Sequence, residues 1–190
     1  MDGTVDMLLK RGAEAGISQF VVLPVSNSPT RVRSINSFLL EQATTHDNFI
    51  GFGTVHAEME GLMEEVDWIL QNGLRGIKMH PDSQQFAIDD ERLYPMYDYL
   101  QDKIPLMLHM GDPRYHYSHP SRLRKILDIF PRLQVIDGGN GTGVMDEITG
   151  LLTEGYAVLE RDDKGSPVLE AWFTAEETVI YRRGVESDRL

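Results

Sequence analysis

Residues 73–81 have the sequence GLRGIKMHP, a short apolar segment with a clear start and a clear end. Asn72-Gly73 stops the helix that the apolar spacing predicts over residues 60–71. Residues 76–79 then have the pattern of a buried strand, and His80 follows directly. Pro81 cannot continue the strand. The stretch therefore predicts a buried strand after a helix, with a polar side chain placed where the strand ends.

The same alternation recurs on both sides of this stretch. Strands are predicted to begin at about residues 19, 50, 76, 105, 134 and 156. Helices are predicted over residues 4–15, 31–44, 60–71, 92–103, 121–130 and 143–153. A capping box at residues 174–177 predicts a final helix. Successive βα units indicate an α/β fold with a parallel sheet, either an open doubly wound sheet or a barrel.

Length bears on this choice without settling it. A complete (β/α) barrel of the TIM type has eight strands and ~250 residues. The chain has 190 residues and supplies about six βα units. The spacing alone leaves an open sheet and an incomplete barrel as alternatives.

Composition narrows the class of protein. Hydrophobic residues make up 41% and charged residues 25%, as in an ordinary globular domain, and we expect one domain over residues 1–190. No apolar run has the ~20 residues of a membrane helix, and no signal peptide is visible, so a cytoplasmic location without membrane partners is predicted. The chain lacks cysteine, which excludes disulfides and thiolate metal sites. A net charge of −12 argues against nucleic acid as a partner.

Three consecutive predicted strands end in histidine, at His56, His80 and His109. The carboxyl ends of parallel strands form the functional edge of such sheets, and imidazole is both a metal ligand and a general acid or base near neutral pH. Lys78 shares a strand face with His80 because side chains alternate along a strand. The pattern predicts a site at this edge. Hydrogen-bonded structural histidines, and a lysine that extends to the surface, are the alternatives.

Two loops also carry candidate chemistry. Residues 115–119 have the sequence YHYSH and follow the strand that ends at His109, so they could cover a pocket or lie in solvent. Residues 138–143 have the sequence GGNGTG between a predicted strand and a predicted helix. That glycine-rich run is placed as a phosphate-binding loop would be, yet it matches neither a P-loop nor the dinucleotide fingerprint.

Several segments, in this order, resemble the amidohydrolase-related metal-dependent hydrolases of the TIM-barrel amidohydrolase superfamily. The segments are GFGTVH at residues 51–56, GLRGIKMHP at 73–81 with Gln84 and Phe86, LYP at 93–95, PLMLHMGD at 105–112 and FP at 130–131. The combination is specific, although no single segment is. The resemblance covers residues 3–136 well and the remainder weakly.

This resemblance implies a parallel (β/α) barrel with one divalent metal, often zinc, at the carboxyl ends of its strands. The family holds the metal with a His-x-His pair on the first strand, a histidine after the fifth and an aspartate after the eighth. His109 matches the fifth-strand ligand. Catalytic roles are expected for His80 and Lys78, and substrate-binding roles for His56, Gln84 and Tyr115.

The chain also departs from the family pattern. The His-x-His pair is absent, and Asp137 stands where a histidine usually follows the sixth strand. By the resemblance, the eighth-strand aspartate would come just beyond residue 190. We therefore expect an incomplete barrel, truncated at both ends. Its metal site should be weak or absent, and its open sheet edges should favour self-association.

Three functions stay open. The first is a metal-dependent hydrolase that acts on a small-molecule amide, ester or lactone. The second is a metal-dependent non-oxidative decarboxylase on the same barrel. The third is a catalytically inactive fragment, because a catalytic zinc needs three protein ligands and only His109 is clearly present.

Overall fold

The computed structural model describes residues 4–110 and 114–137, together with the strand backbones of three later segments. The helices are α1 (Val5–Glu14), α2 (Val32–Thr45), α3 (Leu62–Gln71), α4 (Pro81–Gln84), α5 (Tyr94–Leu100) and α6 (Pro120–Ile129), with 3₁₀ turns at Pro29–Arg31 and Glu91–Leu93. The strands are β1 (Phe20–Val22), β2 (Phe49–Gly51), β3 (Gly53–Thr54), β4 (Ile77–Met79), β5 (Leu106–Leu108), β6 (Val135–Asp137), β7 (Gly155–Arg161), β8 (Pro167–Phe173) and β9 (Thr178–Arg182).

Strands β1 to β6 are parallel and lie side by side in chain order. β1 pairs with β2, and β3, β4, β5 and β6 form a second sheet in that order. The backbone joins the two sheets, since the Phe52 amide donates to the Val22 carbonyl at 3.1 Å and the Arg75 amide to the Gly51 carbonyl at 2.8 Å. The prediction of an α/β fold built on parallel strands is confirmed.

The strand predicted from Ile50 is divided at Phe52 into β2 and β3. The Phe52 ring is fully buried and lies across the start of β4, where a Cβ on Gly76 would stand 2.3 Å from a ring carbon. A Cβ on Gly53 would likewise stand 2.6 Å from Ile69 of α3. Glycine at both positions lets a large side chain approach the backbone closely, which a strand pattern alone does not reveal.

The helices cover one face of the parallel strands. The main core joins the sheet residues Ile77, Met79, Leu106, Leu108 and Val135 to α3, α5 and α6. A second cluster contains only strand residues and their flanks, namely Phe52 and Ile136 with the half-buried Val21, Ile50 and Met107. Alternation along each strand thus separates a face packed on helices from a face lined by other strands.

The C-terminal part departs from the sequence-based expectations. A strand is present at β7, but it pairs antiparallel with β8, so it does not extend the parallel series. The final helix predicted after the capping box at 174–177 is wrong, because Thr178–Arg182 is strand β9, antiparallel to β8. The β-branched and aromatic residues Val179, Ile180 and Tyr181 suit a paired strand, and pairing outweighs a local helix signal.

Smaller differences concern element ends and residues outside the description. Helix α6 begins at Pro120, one residue before the start predicted at residue 121, and it is capped by His119, whose side chain accepts from the Ser121 amide. The predicted helix over residues 143–153 and the glycine run at residues 138–143 lie outside the described residues. Among the helices that the structure describes, none combines the length and the hydropathy that crossing a bilayer requires.

Strand β1 lies at an edge of the described parallel strands, and we expect this edge to support self-association. Its three residues are half-buried, and the flanking Leu23 and Ile17 are 37% and 50% exposed. An edge that presents backbone groups beside apolar side chains is a template for another strand. Light scattering at micromolar concentration should therefore show oligomers.

A lysine substitution at this edge distinguishes strand pairing through β1 from non-specific hydrophobic association. Leu23→Lys should reduce the scattering, because charge at an edge opposes pairing. The control Phe38→Lys removes an apolar side chain that is 52% exposed on α2, and it should leave the scattering unchanged. A monodisperse monomer would contradict the prediction.

Candidate functional site

The three strand-end histidines occupy one level of the sheet. Thr54 of β3 pairs with Lys78 of β4, and Lys78 pairs with Met107 of β5. Two residues further along each strand, the same level is reached by His56, His80 and His109. The parallel ladder brings them to one carboxyl edge, as the sequence predicted.

His80 and His109 form a stacked pair. Their ring centroids are 4.0 Å apart and the ring planes differ by 20°. The backbone supports this geometry, since the His109 amide donates to the Met79 carbonyl at 3.0 Å. Two polar rings from adjacent strands are thereby placed together at the edge.

His80 is held in its neutral form. Burial lowers the pKa of His80 below the ordinary value, electrostatic interaction with His109 and Lys78 lowers it further, and Asp82 acts in the opposite direction. Its Nδ1 accepts a hydrogen bond from the Ser83 amide at 3.4 Å, which caps α4. In this tautomer Nε2 carries the proton. His80 can therefore donate a hydrogen bond through Nε2–H, whereas its Nδ1 lone pair is already used by the Ser83 amide.

Lys78 is only 6% exposed, which is unusual for a lysine. Ile77 and Met79, on either side of it, belong to the core that packs on helices. Lys78 therefore lies on the opposite face of β4, on the side of the strand-lined cluster, because side chains alternate along a strand. Its charge acts on His80, as the lowered pKa of that histidine shows. The surface position weighed as an alternative for this lysine is excluded.

His56 is 3% exposed and packs edge-on against Phe86, with ring centroids 5.1 Å apart. Its Nδ1 accepts from the Glu58 amide at 3.1 Å. Burial lowers its pKa, partly offset by Glu58. His56 therefore lies at the level of the stacked pair but has the surroundings of a structural histidine. Its predicted role in substrate binding stays a prediction.

Gln84 joins the carboxyl ends of three strands. Its amide nitrogen donates to the carbonyls of Ser26 and Val55, each at 2.8 Å, and its oxygen accepts from the His80 amide at 2.8 Å. Ser26 follows β1, Val55 follows β3 and His80 follows β4. Both amide protons are committed to backbone oxygens, so Gln84 positions His80, and contact with a substrate stays a prediction.

Tyr115 is 43% exposed and stacks on Tyr117, with centroids 6.4 Å apart. The loop that contains it is held to the segment after α4, where the Ile88 amide donates to the Tyr117 carbonyl at 2.9 Å. Among the described residues, Tyr115 makes no ring contact with the stacked pair. Its assignment to substrate binding is therefore not supported by contact and stays a prediction.

Asp82 was not singled out from the sequence, and Ser118 was named only as part of the loop at residues 115–119. Asp82 is 4% exposed and Ser118 is 2% exposed, and the Ser118 hydroxyl donates to Asp82 Oδ2 at 2.5 Å. Asp82 Oδ1 is buried and has no hydrogen-bond partner within the described part of the chain. The only sequence signal was position, since Asp82 lies two residues after His80, in the first turn of α4.

A metal centre would need several ligands around His109. Within residues 4–110 and 114–136, no group of three His, Asp or Glu side chains is placed to hold a metal ion. The stacked geometry adds a reason, because ring nitrogens bind a metal in the plane of the ring. Two rings in nearly parallel planes 4.0 Å apart do not aim their nitrogens at one point.

Stability should fall as the pH is lowered from about 7 to 5. The pKa values of His56 and His80 are lowered in the folded state, so below about pH 6.5 the unfolded chain binds more protons, which favours unfolding. Above about pH 7.5 both histidines are almost wholly neutral in both states and contribute almost no slope. Urea unfolding at pH 7.5, 6.5 and 5.5 measures this, and the double variant His56→Gln, His80→Gln should flatten the dependence. An unchanged slope in that variant would refute the assignment.

Comparison with known proteins adds no relationship. No family model matches this chain, and the comparisons with curated proteins and with solved structures give no significant match. The resemblance to the amidohydrolase-related hydrolases therefore stays a prediction from the sequence.

Proposed function

We propose that the chain is a hydrolase of the amidohydrolase-related type, acting on a small carbonyl compound. The observation that carries the proposal is the stacked pair His80–His109 beside the buried Lys78, at the carboxyl edge of adjacent parallel strands. Neutral imidazole and a lysine cation at such an edge are the groups that carbonyl hydrolysis uses.

A barrel is the architecture that best accommodates these strands. Five strand positions follow one another in chain order without reversal, as they do in a barrel, whereas a doubly wound sheet reverses its order. The helices in the core lie on one face, and the other face carries a cluster of strand residues. A barrel has this arrangement, with helices outside and strand side chains inside.

The proposed roles follow from the chemistry of each group. The Nε2–H of His80 donates a hydrogen bond to the carbonyl oxygen of the substrate, because the Nδ1 lone pair is already used by the Ser83 amide. The positive charge of Lys78 stabilises the oxyanion that develops on the carbonyl oxygen. Gln84 holds the His80 backbone in place from two other strand ends.

A divalent metal would supply a Lewis acid and an activated water to a hydrolase of this type. The described residues do not fit that group, because His109 is paired with the ring of His80 and no three-ligand set surrounds it. The proposal therefore rests on the substrate-side residues. We expect calorimetric titration of the chain with zinc to show no site tighter than roughly micromolar, against the ~10–16 kcal/mol of a structural zinc site. A stoichiometric nanomolar site would contradict this and point to His56, Asp137 or His119.

The function is tested with a small panel of carbonyl substrates. An aryl ester, a lactone and an acylated amino acid amide are offered to the chain, with added zinc or manganese and with a chelator, and 2-hydroxybenzoate is offered for release of carbon dioxide. His80→Asn should lower turnover by about 10²-fold or more, the usual contribution of one hydrogen-bond donor to a developing oxyanion. His109→Asn should lower it as well, because the ring that lies against His80 is lost.

His46→Gln is the matched control. His46 follows α2 and packs against Phe49 at the amino end of β2, which is the opposite end of the strand from the carboxyl edge. It should leave turnover unchanged. Equal losses in His46→Gln and His80→Asn, or no turnover of any substrate, would refute the proposal. Release of carbon dioxide without hydrolysis would favour the decarboxylase instead.

A further inference from the structure

A second site lies beside the carboxyl edge and shares no lining residue with the stacked pair. It is a cleft of about 470 Å³ lined by Asp89, His116, His119, Ser121, Arg122 and Lys125. We call it the α6 cleft, since four of these residues belong to α6 or to its cap. Its volume is in the range of small-molecule sites, ~300–1,000 Å³.

The α6 cleft is basic in a strongly acidic protein. The chain carries −12 overall, yet residues 113–127 (PRYHYSHPSRLRKIL) contain four arginine or lysine residues and no acidic one. Two of those cations, Arg122 and Lys125, line the cleft, with two histidines and a single carboxylate. Local charge therefore favours an anion here, against the average of the molecule.

Arg122 is fixed before any ligand arrives. Its Nε donates to the His116 carbonyl at 2.7 Å, and its Nη1 donates to Asp89 Oδ1. A guanidinium has five N–H donors, so these two bonds leave three for a ligand in the cleft. Holding the group in place in advance removes the entropy cost of ordering a long side chain on binding.

Asp89 orients both cations. Its Oδ2 accepts from Lys125 Nζ at 3.2 Å, and the side chain is 11% exposed. Burial would raise its pKa, but the hydrogen bonds and charges of Arg122 and Lys125 outweigh burial and lower it. Asp89 is therefore ionised at neutral pH and neutralises one of the two cations. One positive charge remains for a ligand.

We propose that the α6 cleft binds the phosphoryl group of a phosphorylated small molecule. The fixed guanidinium of Arg122 and the ammonium of Lys125 lie three residues apart on α6 and both line the cleft. Together they provide several charged donors, which suits the oxygens of a tetrahedral phosphate. The cleft is larger than one phosphate group, which leaves space for an organic part. Nucleic acid is disfavoured by the net charge of −12.

Calorimetric titration with inorganic phosphate, glycerol 2-phosphate and acetate tests this inference. Both phosphates should bind saturably, with glycerol 2-phosphate the tighter, and acetate should not. Arg122→Gln should weaken phosphate binding at least about tenfold, as expected for the loss of charged hydrogen bonds. Lys125→Gln should weaken it as well. This second variant is informative even if Arg122→Gln fails to fold, because Lys125 holds no backbone carbonyl in the described structure.

Arg132→Gln is the matched control. Arg132 forms the same kind of pair, with Nε 2.6 Å from Asp102 Oδ2, but is 64% exposed and lies outside the cleft. It should leave binding unchanged. An equal loss in Arg132→Gln, equal binding of acetate, or no saturation with either phosphate would overturn the inference. None of these outcomes bears on His80, so failure here is distinct from failure of the proposed hydrolase.

Discussion

Replacing Asn36 with leucine is expected to lower the free energy of unfolding by about 3–5 kcal/mol, since each buried polar group left unpaired costs ~1–3 kcal/mol. The Asn36 side chain is fully buried on α2. Its oxygen accepts from the Thr54 amide at 2.8 Å, and its nitrogen donates to the Thr54 carbonyl at 2.9 Å. The side-chain amide thus pairs with β3 as a neighbouring strand would.

The same amide also supports a buried charge. Asn36 donates to Glu65 Oε1 at 2.7 Å, and Arg33 donates to Glu65 Oε2 at 2.7 Å. Glu65 is 3% exposed, so losing one of its two partners leaves a buried carboxylate poorly compensated. Thr54 in turn donates through its hydroxyl to the Lys78 carbonyl at 2.9 Å. The loss would therefore reach the strand that carries the proposed site.

Urea unfolding measures the effect. The control Asn72→Ala removes an exposed amide that donates to the Trp68 carbonyl at the end of α3, and it should cost less than about 0.5–1 kcal/mol. A domain's total free energy of unfolding is ~5–15 kcal/mol, so the loss expected for Asn36→Leu is a large part of it and is measurable by this method. Equal stability of Asn36→Leu and the wild-type chain would show that Thr54 finds other partners.

Replacing Gln84 with methionine, which has a similar shape, is expected to cost about 3 kcal/mol or more and to disturb His80. Three buried backbone groups lose their partner, the Ser26 carbonyl, the Val55 carbonyl and the His80 amide, at ~1–3 kcal/mol each. Because His80 caps α4 and stacks on His109, its ring should move as well.

Two measurements distinguish this positioning role from direct substrate contact. Urea unfolding gives the stability, and the imidazole proton resonances of His80 and His109 report on the ring pair. Gln71 is exposed at the end of α3, and the control Gln71→Met should change neither the stability nor the histidine resonances. If Gln84→Met left the stability and the histidine resonances unchanged and only weakened ligand binding, Gln84 would be a substrate-binding residue. It would then not be a structural link between strand ends.

Local sequence patterns predicted the parallel part of the fold because they act over short distances. Apolar β-branched runs located β1 to β6, and helical spacing located α1, α2, α3 and α6, to within one or two residues. Histidines at the ends of consecutive parallel strands share an edge in any parallel sheet, so the level of His56, His80 and His109 followed from strand direction alone. The prediction of a final helix failed for the same reason, because a capping box is a local signal and β9 is stabilised by pairing with β8.

Tertiary structure decided which of these residues act together. The bonds of Gln84 to Ser26, of Asn36 to Thr54 and of Ser118 to Asp82 join residues 58, 18 and 36 positions apart. No periodicity encodes such bonds, because a polar side chain in the core takes whichever unpaired backbone or carboxylate group the packing brings to it. The α6 cleft arose in the same way, from Asp89 meeting Arg122 across 33 residues. The sequence by itself determined the strands, the helices and the edge that carries the three histidines. Only the packing of distant segments determined that the rings of His80 and His109 stack, that Gln84 and Asn36 bond to strand backbone, and that Arg122 is held by Asp89.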